Sequence, residues 1–336
     1  MAVLKDVAKL AGVSVTTASI VANGRWEEMR IAPDTVHRVL SAMEEVHYLP
    51  NQSARQLRLP NQRHIRIAFF WPMDVRTNML GQRLAHLYSV LMERELDYEI
   101  IVQTYQNNRI EDFASSLIKG RVDGAIVGAA TDKDIEQLER MNFNVPLVLL
   151  NRVSHKFSTV GVDHAQLGMQ IAALIQKKGY QQCAVIKTAG QYHGASIRTK
   201  SFLNACKHLG IETSPEWSFS GPSTISGGAF ATEEYCSMTE RPRMLYYEAD
   251  CMAQGGLYVL QSHGISVPQD VELIAVGTQS PETMEYLHPS ISCVSLPTVV
   301  DRQAMSTLIR MIQEHIQEPI HIELEPQVQL RGSFTL

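Results

Sequence analysis

The first fifty residues place apolar side chains at the spacing of three short helices. We predict helices over 5–11, 15–22 and 33–46, and the third has apolar residues at i, i+3, i+4, i+7 and i+10 along one face. Gly12 is a natural helix stop and Ser14 is a good N-cap, so a tight turn joins the first two helices. This arrangement predicts a helix-turn-helix.

From about residue 63 the pattern changes to apolar strands that alternate with amphipathic helices. The predicted strands are 65–70, 99–104, 124–128, 147–150, 159–162, 183–187, 244–247, 273–276 and 292–296. The predicted helices between them include 80–95, 165–178, 200–209, 251–263 and 300–317. Alternation of this kind predicts parallel sheets covered by helices. Because the strands are too many for one comfortable sheet, we predict an α/β core of two doubly wound halves with a cleft between them.

The composition is typical of a globular protein with more than one folding unit. Of the 336 residues, 45% are hydrophobic and 19% are charged. No apolar run approaches the ~20 residues that span a bilayer, and the N-terminus lacks the pattern of a secretory signal. The five cysteines are scattered without a C-x-x-C pair, so we expect reduced packing residues and a cytoplasmic protein.

Charge is distributed unevenly along the chain. The formal net charge is −5, but residues 1–66 carry nine basic and six acidic side chains. A mildly basic N-terminal segment on an otherwise acidic chain favours a nucleic-acid-binding module at that end.

Several motifs resemble those of one bacterial protein family. They are LKDVAKLAGVS at 4–14, TAS at 17–19, YLPN at 48–51, ARQL at 54–57, VPQDV at 267–271 and LRGS at 330–333. On these motifs the chain resembles the LacI/GalR family of transcriptional regulators over its whole length. The resemblance implies an all-α helix-turn-helix headpiece, a hinge helix and a periplasmic-binding-protein-like core of two subdomains. It also implies that the chain crosses between the subdomains three times.

The resemblance further implies where the domains begin and end. We expect a DNA-binding headpiece over 1–60, with a hinge helix at about 51–58, followed by an effector-binding and dimerisation domain over 61–336. Within the second domain, the expected N-subdomain is about 63–162 plus 292–322, and the expected C-subdomain is about 163–291 plus 323–336.

The helix-turn-helix also indicates which residues meet DNA. In such motifs the exposed N-terminal end of the second helix enters the major groove and meets base edges. The family's hinge helix adds contacts in the minor groove. The expected DNA-binding residues are Lys5, Ser14, Val15, Thr16, Thr17, Ser19, Ile20, Asn23, Arg25, Asn51, Ala54, Arg55 and Leu57.

Three headpiece positions allow more than one role or depart from the family pattern. Leu57 could wedge between base steps in the minor groove, as the matching residue does in the family, or it could pack on the core. Many relatives carry an arginine where Ile20 stands. Isoleucine cannot make a bidentate contact with guanine, so we expect a different operator base there. The loop 24–31 is longer than usual in the family, and its Trp26 could contact DNA or cover the headpiece core.

A small-molecule effector is expected in the cleft between the subdomains. The expected ligand-binding residues are Trp71, Asp74, Asn151, Tyr192, His193, Arg198, Asp250 and Gln279. Arg198 matches the family's ligand-binding arginine, and a guanidinium suits a hydroxyl pair, a carboxylate or a phosphate; an inter-subdomain salt bridge is the alternative. Trp71 could stack on a ligand ring or close the end of the sheet. Ala249 and Gln279 replace polar residues that often hold sugar hydroxyls in relatives, which argues against a standard hexose.

We therefore expect a homodimeric bacterial repressor whose affinity for double-stranded operator DNA is modulated by a sugar, a sugar derivative or another metabolite. It would act in the cytoplasm and join the nucleoid when bound to its operator. The sequence has no enzyme motif such as G-x-S-x-G or H-E-x-x-H, and we expect no catalysis, cofactor, metal or membrane partner. Two alternatives remain open: a regulator controlled by a partner protein, and a solute-binding protein.

Overall fold

A computed structural model describes the chain from Val3 to Leu336 with several gaps. The gaps are residues 23–25, 27–28, 47, 49–63, 75, 95–96, 119–121, 190–192, 279–280 and 297–298, and only the backbone is described at 78, 115–118 and 193–196. The chain forms two compact units, over Met1–His64 and Ile65–Leu336.

The first unit is a bundle of three short helices. They are α1 (Leu4–Leu10), α2 (Val15–Ala22) and α3 (Pro33–Glu45). Each helix contributes a fully buried side chain to a shared apolar core, namely Val7, Ala18 and Val39. Gly12 has a φ of +62°, a conformation that favours glycine, and it allows the tight turn between α1 and α2. The predicted helix-turn-helix is confirmed.

The second unit alternates strands and helices. Its strands are β1 (Ile65–Pro72), β2 (Tyr98–Tyr105), β3 (Gly124–Val127), β4 (Leu147–Leu150), β5 (Ser158–Val162), β6 (Ala184–Thr188), β7 (Ser218–Gly221), β8 (Met244–Tyr247), β9 (Glu272–Gly277), β10 (Ser292–Ser295), β11 (His321–Leu324) and β12 (Gln327–Gln329). Its helices are α4 (Leu80–Glu93), α5 (Glu111–Ile118), α6 (Asp132–Arg140), α7 (His164–Lys177), α8 (His193–Leu209), α9 (Ile225–Cys236), α10 (Asp250–Ser262), α11 (Pro281–Glu285) and α12 (Val299–Glu314). Short 3₁₀ turns lie at Thr77–Met79 and Pro215–Trp217.

The strands form two six-stranded sheets. The first has the order β11-β5-β4-β3-β1-β2, and all of its strands are parallel. The second has the order β12-β10-β9-β8-β6-β7, and β12 alone runs antiparallel to its neighbour. Separate apolar clusters pack on both faces of each sheet. The two doubly wound halves predicted from the pattern are therefore confirmed.

The pairing of the last strands corrects the expected subdomain boundary at residue 292. Strand β10 was expected in the N-subdomain, but it pairs in parallel with β9 in the second sheet. Strand β11, by contrast, pairs with β5 and so completes the first sheet. The chain therefore crosses back to the first sheet after β10, because the buried Ser292–Ser295 strand hydrogen-bonds to β9.

No helix in the described part of the chain is both long enough and apolar enough to cross a bilayer.

Helices α9 and α10 lie so close together that glycine is required where they meet. A Cβ atom on Gly255 would overlap the carbonyl oxygen of Ile225, and one on Gly228 would overlap that of Met252. A side chain at either position would push the two helices apart, because close-packed interiors hold no spare volume there.

We predict that Gly255→Ala lowers the free energy of unfolding by about 3 kcal/mol, because the added methyl group forces α9 and α10 to separate. Urea unfolding followed by circular dichroism measures this change. The matched control is Gly81→Ala in α4, where an added Cβ meets no atom within 4 Å. The control is expected to raise stability by about 0.5 kcal/mol through lower backbone entropy in the unfolded chain. Equal effects of the two substitutions would contradict the packing argument.

Candidate functional site

The N-terminal end of α2 is held by its own hydroxyl groups. The Thr17 backbone N–H donates to Ser14 Oγ at 3.0 Å, and the Thr17 hydroxyl lies 2.9 Å from the same oxygen. Ser14 therefore caps the helix, which is the role that a serine at this position performs best. The next two residues, Val15 and Thr16, are exposed, and neither has a hydrogen bond to any described side chain.

The rest of α2 fixes the orientation of this end. Ala18 and Val21 are buried against the headpiece core, which turns the opposite face outward. Ser19 and Ile20 are half-buried at the edge of that outward face, and Lys5 is exposed on α1. The other expected DNA-binding residues, Asn23, Arg25, Asn51, Ala54, Arg55 and Leu57, lie outside the described residues.

Trp26 packs on the headpiece core. It is partly buried against the apolar cluster that contains Val7 and Val39, and its carbonyl oxygen accepts from the Ile31 N–H at 2.9 Å. A shallow groove beside it is lined by Trp26, Arg30, Ile31, Pro33, Val36, His37 and Leu40. These contacts favour the interpretation in which the longer loop covers the small core.

In the second unit, a cleft lies at the carboxyl ends of strands from both sheets. It encloses about 870 Å³ of open space, solvent at its mouth included. The lining residues are Trp71, Arg76, Met79, Arg83, Ala129, Leu150, Asn151, Arg152, His164, Thr188, Arg198, Ser223, Ala249, Thr278, Leu296 and Asp301. The carboxyl ends of parallel strands are the usual location of ligand sites in doubly wound folds. The cleft is therefore the candidate effector site.

Asp74 holds an arginine at the wall of this cleft. Arg76 Nε lies 3.0 Å from both Asp74 oxygens, and a second guanidinium nitrogen contacts Oδ2. Asn107 Nδ2 donates to the same carboxylate at 2.8 Å, and Arg76 Nη1 donates to the carbonyl oxygen of Ala129 at 2.6 Å. Burial opposes ionisation of Asp74, but the hydrogen bonds from Arg76 and Asn107 outweigh it and hold the pKa of Asp74 below 3.8.

Two further arginines line the cleft without a carboxylate partner among the described residues. Arg152 is held by backbone oxygens: its Nε donates to Ala130 O and its Nη1 to Asn151 O, both at 2.6 Å. Burial, and after it the positive charges of Arg76 and Arg198, lower the pKa of Arg152 to about 10. Arg198 has a buried Nε without a hydrogen-bond partner among the described atoms.

Asp301, at the start of α12, joins the cleft to α4. Its side chain is fully buried, and its Oδ2 accepts from Arg83 Nη1 at 2.9 Å. His86 Nδ1 lies 2.9 Å from the same oxygen. The other oxygen, Oδ1, is buried and has no partner among the described residues. Asp301 thus combines a structural ion pair with an acceptor that is still available at the cleft.

The remaining expected ligand residues differ in position. Asn151 lies in the left-handed region with φ +51°, and its Oδ1 is buried without a partner among the described atoms. Asp250 is not among the lining residues. It accepts from Thr278, from the N–H at 2.9 Å and from the hydroxyl at 2.7 Å, and so positions a residue that does line the cleft. Tyr192 and Gln279 lie outside the described residues, and for His193 only the backbone at the start of α8 is described.

Among the ionisable residues that line the cleft, sequence reasoning missed Arg76, Arg83, His164 and Asp301. For His164 a signal existed, since it follows the strand ending at Val162 by two residues. Asp301 carried no comparable signal, because its ion pair with Arg83 joins positions 218 residues apart.

Two family profiles match the chain. "Bacterial regulatory proteins, lacI family" matches residues 3–51, and "Periplasmic binding protein-like domain" matches residues 172–334. The HTH-type transcriptional repressor PurR of Pasteurella multocida is 26% identical over 342 residues, covering 99% of this chain and 98% of its own. The chain belongs to the LacI family. It is a DNA-binding transcriptional repressor with an effector-binding core and not an enzyme, as the motifs predicted.

Solved structures of the LacI family share this fold. A LacI-family transcription regulator from Clostridium acetobutylicum is 27% identical with a TM-score of 0.76, over 80% of this chain and 99% of that one. The lac repressor dimer bound to operator and the anti-inducer ONPF is 20% identical with a TM-score of 0.73, over 99% and 98% of the two chains. The second of these matches covers headpiece and core together.

In this LacI-family repressor, we predict that Asp301→Ala lowers the free energy of unfolding by about 3 kcal/mol, because Arg83 and His86 lose a buried partner. Urea unfolding at pH 7 measures the loss. Asp112→Ala is the matched control, since Asp112 pairs with Arg109 at the surface, where both side chains are exposed. The control should cost less than about 1 kcal/mol. A loss for Asp301→Ala no larger than that of the control would show that the buried pair contributes little.

Proposed function

We propose that this repressor reads one half of a roughly palindromic operator with each headpiece, through the exposed N-terminal end of α2. The observation that carries the proposal is that Val15 and Thr16 project from a helix whose opposite face is buried. A helix fixed in this way can present two side chains to base edges without losing its packing.

The chemistry of these residues indicates what they read. Val15 can contact a thymine methyl group, and the Thr16 hydroxyl can donate to or accept from a base edge. Ser14 and Thr17 form the cap and are better suited to phosphate contacts near the helix terminus. Ile20 has no polar group, so the base that faces it is read by shape or by an apolar contact.

The hinge residues complete the proposed DNA interface. Asn51, Ala54, Arg55 and Leu57 belong to an expected hinge helix at about 51–58, within a headpiece of 1–60. An isolated helix of this length is marginal in water, so it would form when paired with its copy on DNA. Leu57 would then enter the central minor groove. Operator binding places the repressor in the bacterial cytoplasm.

A homodimer is part of the proposal. Helices α9 and α10 pack on each other, yet Phe230 on α9 is 60% exposed and Tyr258 on α10 is 72% exposed. Large aromatic side chains exposed on neighbouring helices favour an interface with another protein surface. A second copy fits this surface, because two-fold symmetry would match two operator half-sites.

Ligand binding in the cleft would then alter operator affinity. The lining residues come from both sheets, such as Trp71 from the first and Thr188 from the second, so a ligand between them favours one relative position of the two halves. A ligand that binds the two arrangements with different affinity shifts their populations, and DNA binding shifts with them.

We predict that Thr16→Ala weakens binding to the selected operator by about 10- to 100-fold and leaves the headpiece stable, because the hydroxyl contacts only DNA. Selection of duplexes from a random library, followed by fluorescence anisotropy at two salt concentrations, measures this change. Ser41→Ala is the matched control, since Ser41 is an exposed hydroxyl residue on α3. If both variants bind like the parent chain, α2 does not read this base.

We predict that the double variant Phe230→Glu/Tyr258→Glu is monomeric, because two carboxylates would have to be buried at the interface. Sedimentation velocity measures the state of the chain, and operator binding should weaken because each headpiece then binds alone. Val153→Glu is the control, since Val153 is 73% exposed outside these helices. A double variant that remains dimeric would place the interface elsewhere.

A further inference from the structure

The cleft contains more arginine side chains than ion pairs between arginine and carboxylate. Four of its lining residues are arginines. Arg76 is paired with Asp74, and Arg83 is paired with Asp301. Arg152 and Arg198 have no carboxylate within ion-pair distance among the described residues. The guanidinium groups of Arg152 and Arg198 therefore line the same cavity, and neither forms an ion pair with a described residue.

Glu248 and Asp250 also lie near the cleft, but their oxygens are already engaged, and the charge of Asp132 acts on Arg152 without lining the cavity. Glu248 accepts from the Thr188 N–H at 2.5 Å and from the Thr199 hydroxyl at 2.8 Å. Asp250 accepts from both the N–H and the hydroxyl of Thr278. Both residues are buried, and neither lines the cavity. Glu248 and Asp250 therefore reduce the positive electrostatic potential of the cleft without forming ion pairs with Arg152 and Arg198, which can still bind a ligand.

Part of the cleft wall is apolar. Trp71, Leu150 and Leu296 belong to or pack against one apolar cluster of the first sheet. Trp71 is 3% exposed, and its Nε1 donates to the Arg76 carbonyl oxygen at 3.2 Å, so the indole is fixed in place. A fixed aromatic surface beside unpaired guanidinium groups suits a ligand with both an apolar face and a charged end.

We propose that the effector is a small organic anion whose carboxylate or phosphate group binds between Arg152 and Arg198. Its apolar or ring portion lies against Trp71 and Leu150. Hydroxyl or amino groups on the same molecule donate to Asn151 Oδ1 and Asp301 Oδ1, two buried acceptors of cleft-lining residues that have no partner among the described residues. The inference rests on the proposed function of the cleft as the effector site.

Electrostatics explains why a neutral ligand fits less well. A neutral molecule that fills the cleft removes water from Arg152 and Arg198 and returns only dipolar contacts, which leaves two desolvated like charges. An oxyanion accepts charge-assisted hydrogen bonds from both groups and offsets their mutual repulsion. The lowered pKa of Arg152 has the same physical cause, because burial and two neighbouring guanidinium groups raise the free-energy cost of its positive charge, and a bound anion offsets that cost.

Calorimetric titration of the full chain with matched probe pairs at constant ionic strength tests the proposal. Each pair contrasts an anion with a neutral analogue: phenyl phosphate with phenol, benzoate with benzamide, glucose 6-phosphate with glucose, and gluconate with glucitol. We expect at least one anion to bind with a Kd at least about tenfold below that of its neutral analogue.

Three variants assign the binding to the two arginines. Arg152→Gln and Arg198→Gln should each raise the Kd of that anion by about tenfold or more, which corresponds to about 1.4 kcal/mol. Arg198→Lys keeps the charge but not the planar fork, so it should give an intermediate loss. Arg140→Gln is the matched control, because Arg140 is an exposed arginine on α6 and outside the cleft. Thermal melts without ligand verify that each variant is folded.

The proposal is overturned if a neutral member binds as tightly as its anion. It is also overturned if the arginine variants bind the anion unchanged, or if none of the anions binds below about 10 mM. Failure of the proposed function has a different signature. In that case an anion binds and depends on Arg152 and Arg198, but operator affinity measured with and without it is the same.

Discussion

Parallel pairing of buried strands is the constraint on which the placement of the cleft depends. Both faces of each sheet are covered, so strand interiors carry apolar side chains and their backbone groups are paired along the sheet. Side chains that can bind a polar ligand are then confined to residues at or just beyond the strand ends. Trp71, Asn151, Thr188 and Thr278 all occupy such positions, and they come from both sheets. One cleft therefore collects side chains from segments far apart in the chain.

The charges of the cleft follow from how each arginine is held. Arg76 and Arg83 are fixed by carboxylates and serve as rigid parts of the wall. Arg152 is fixed by two backbone oxygens, which orient its guanidinium without neutralising it. Carbonyl oxygens can hold a cation in place while its charge remains available to a third group. The kind of partner therefore distinguishes the arginines that hold the wall in place from those whose charge can bind a ligand.

The sequence pattern predicted most of the fold because most strands are continuous apolar runs. It predicted β4 and β8 at their observed bounds. It missed β7, β11 and β12, which lie at sheet edges, where half of the side chains face water and the apolar signal is weak. In the cleft, Arg198 was predicted through the family resemblance. The ion pair between Arg83 and Asp301 could not be predicted, since only the folded chain brings those positions together.

The headpiece shows why the lengthened loop matters for stability. A three-helix unit of this size buries little apolar surface, and its fully buried core includes only a few side chains such as Val7, Ala18 and Val39. Trp26 adds a large apolar surface to that core from outside the helices. If burial of the indole stabilises the packing of α1 and α3, it also fixes α2, whose exposed end carries the reading residues. The loop that contains Trp26 then supports specific DNA binding indirectly, because it makes α2 more rigid.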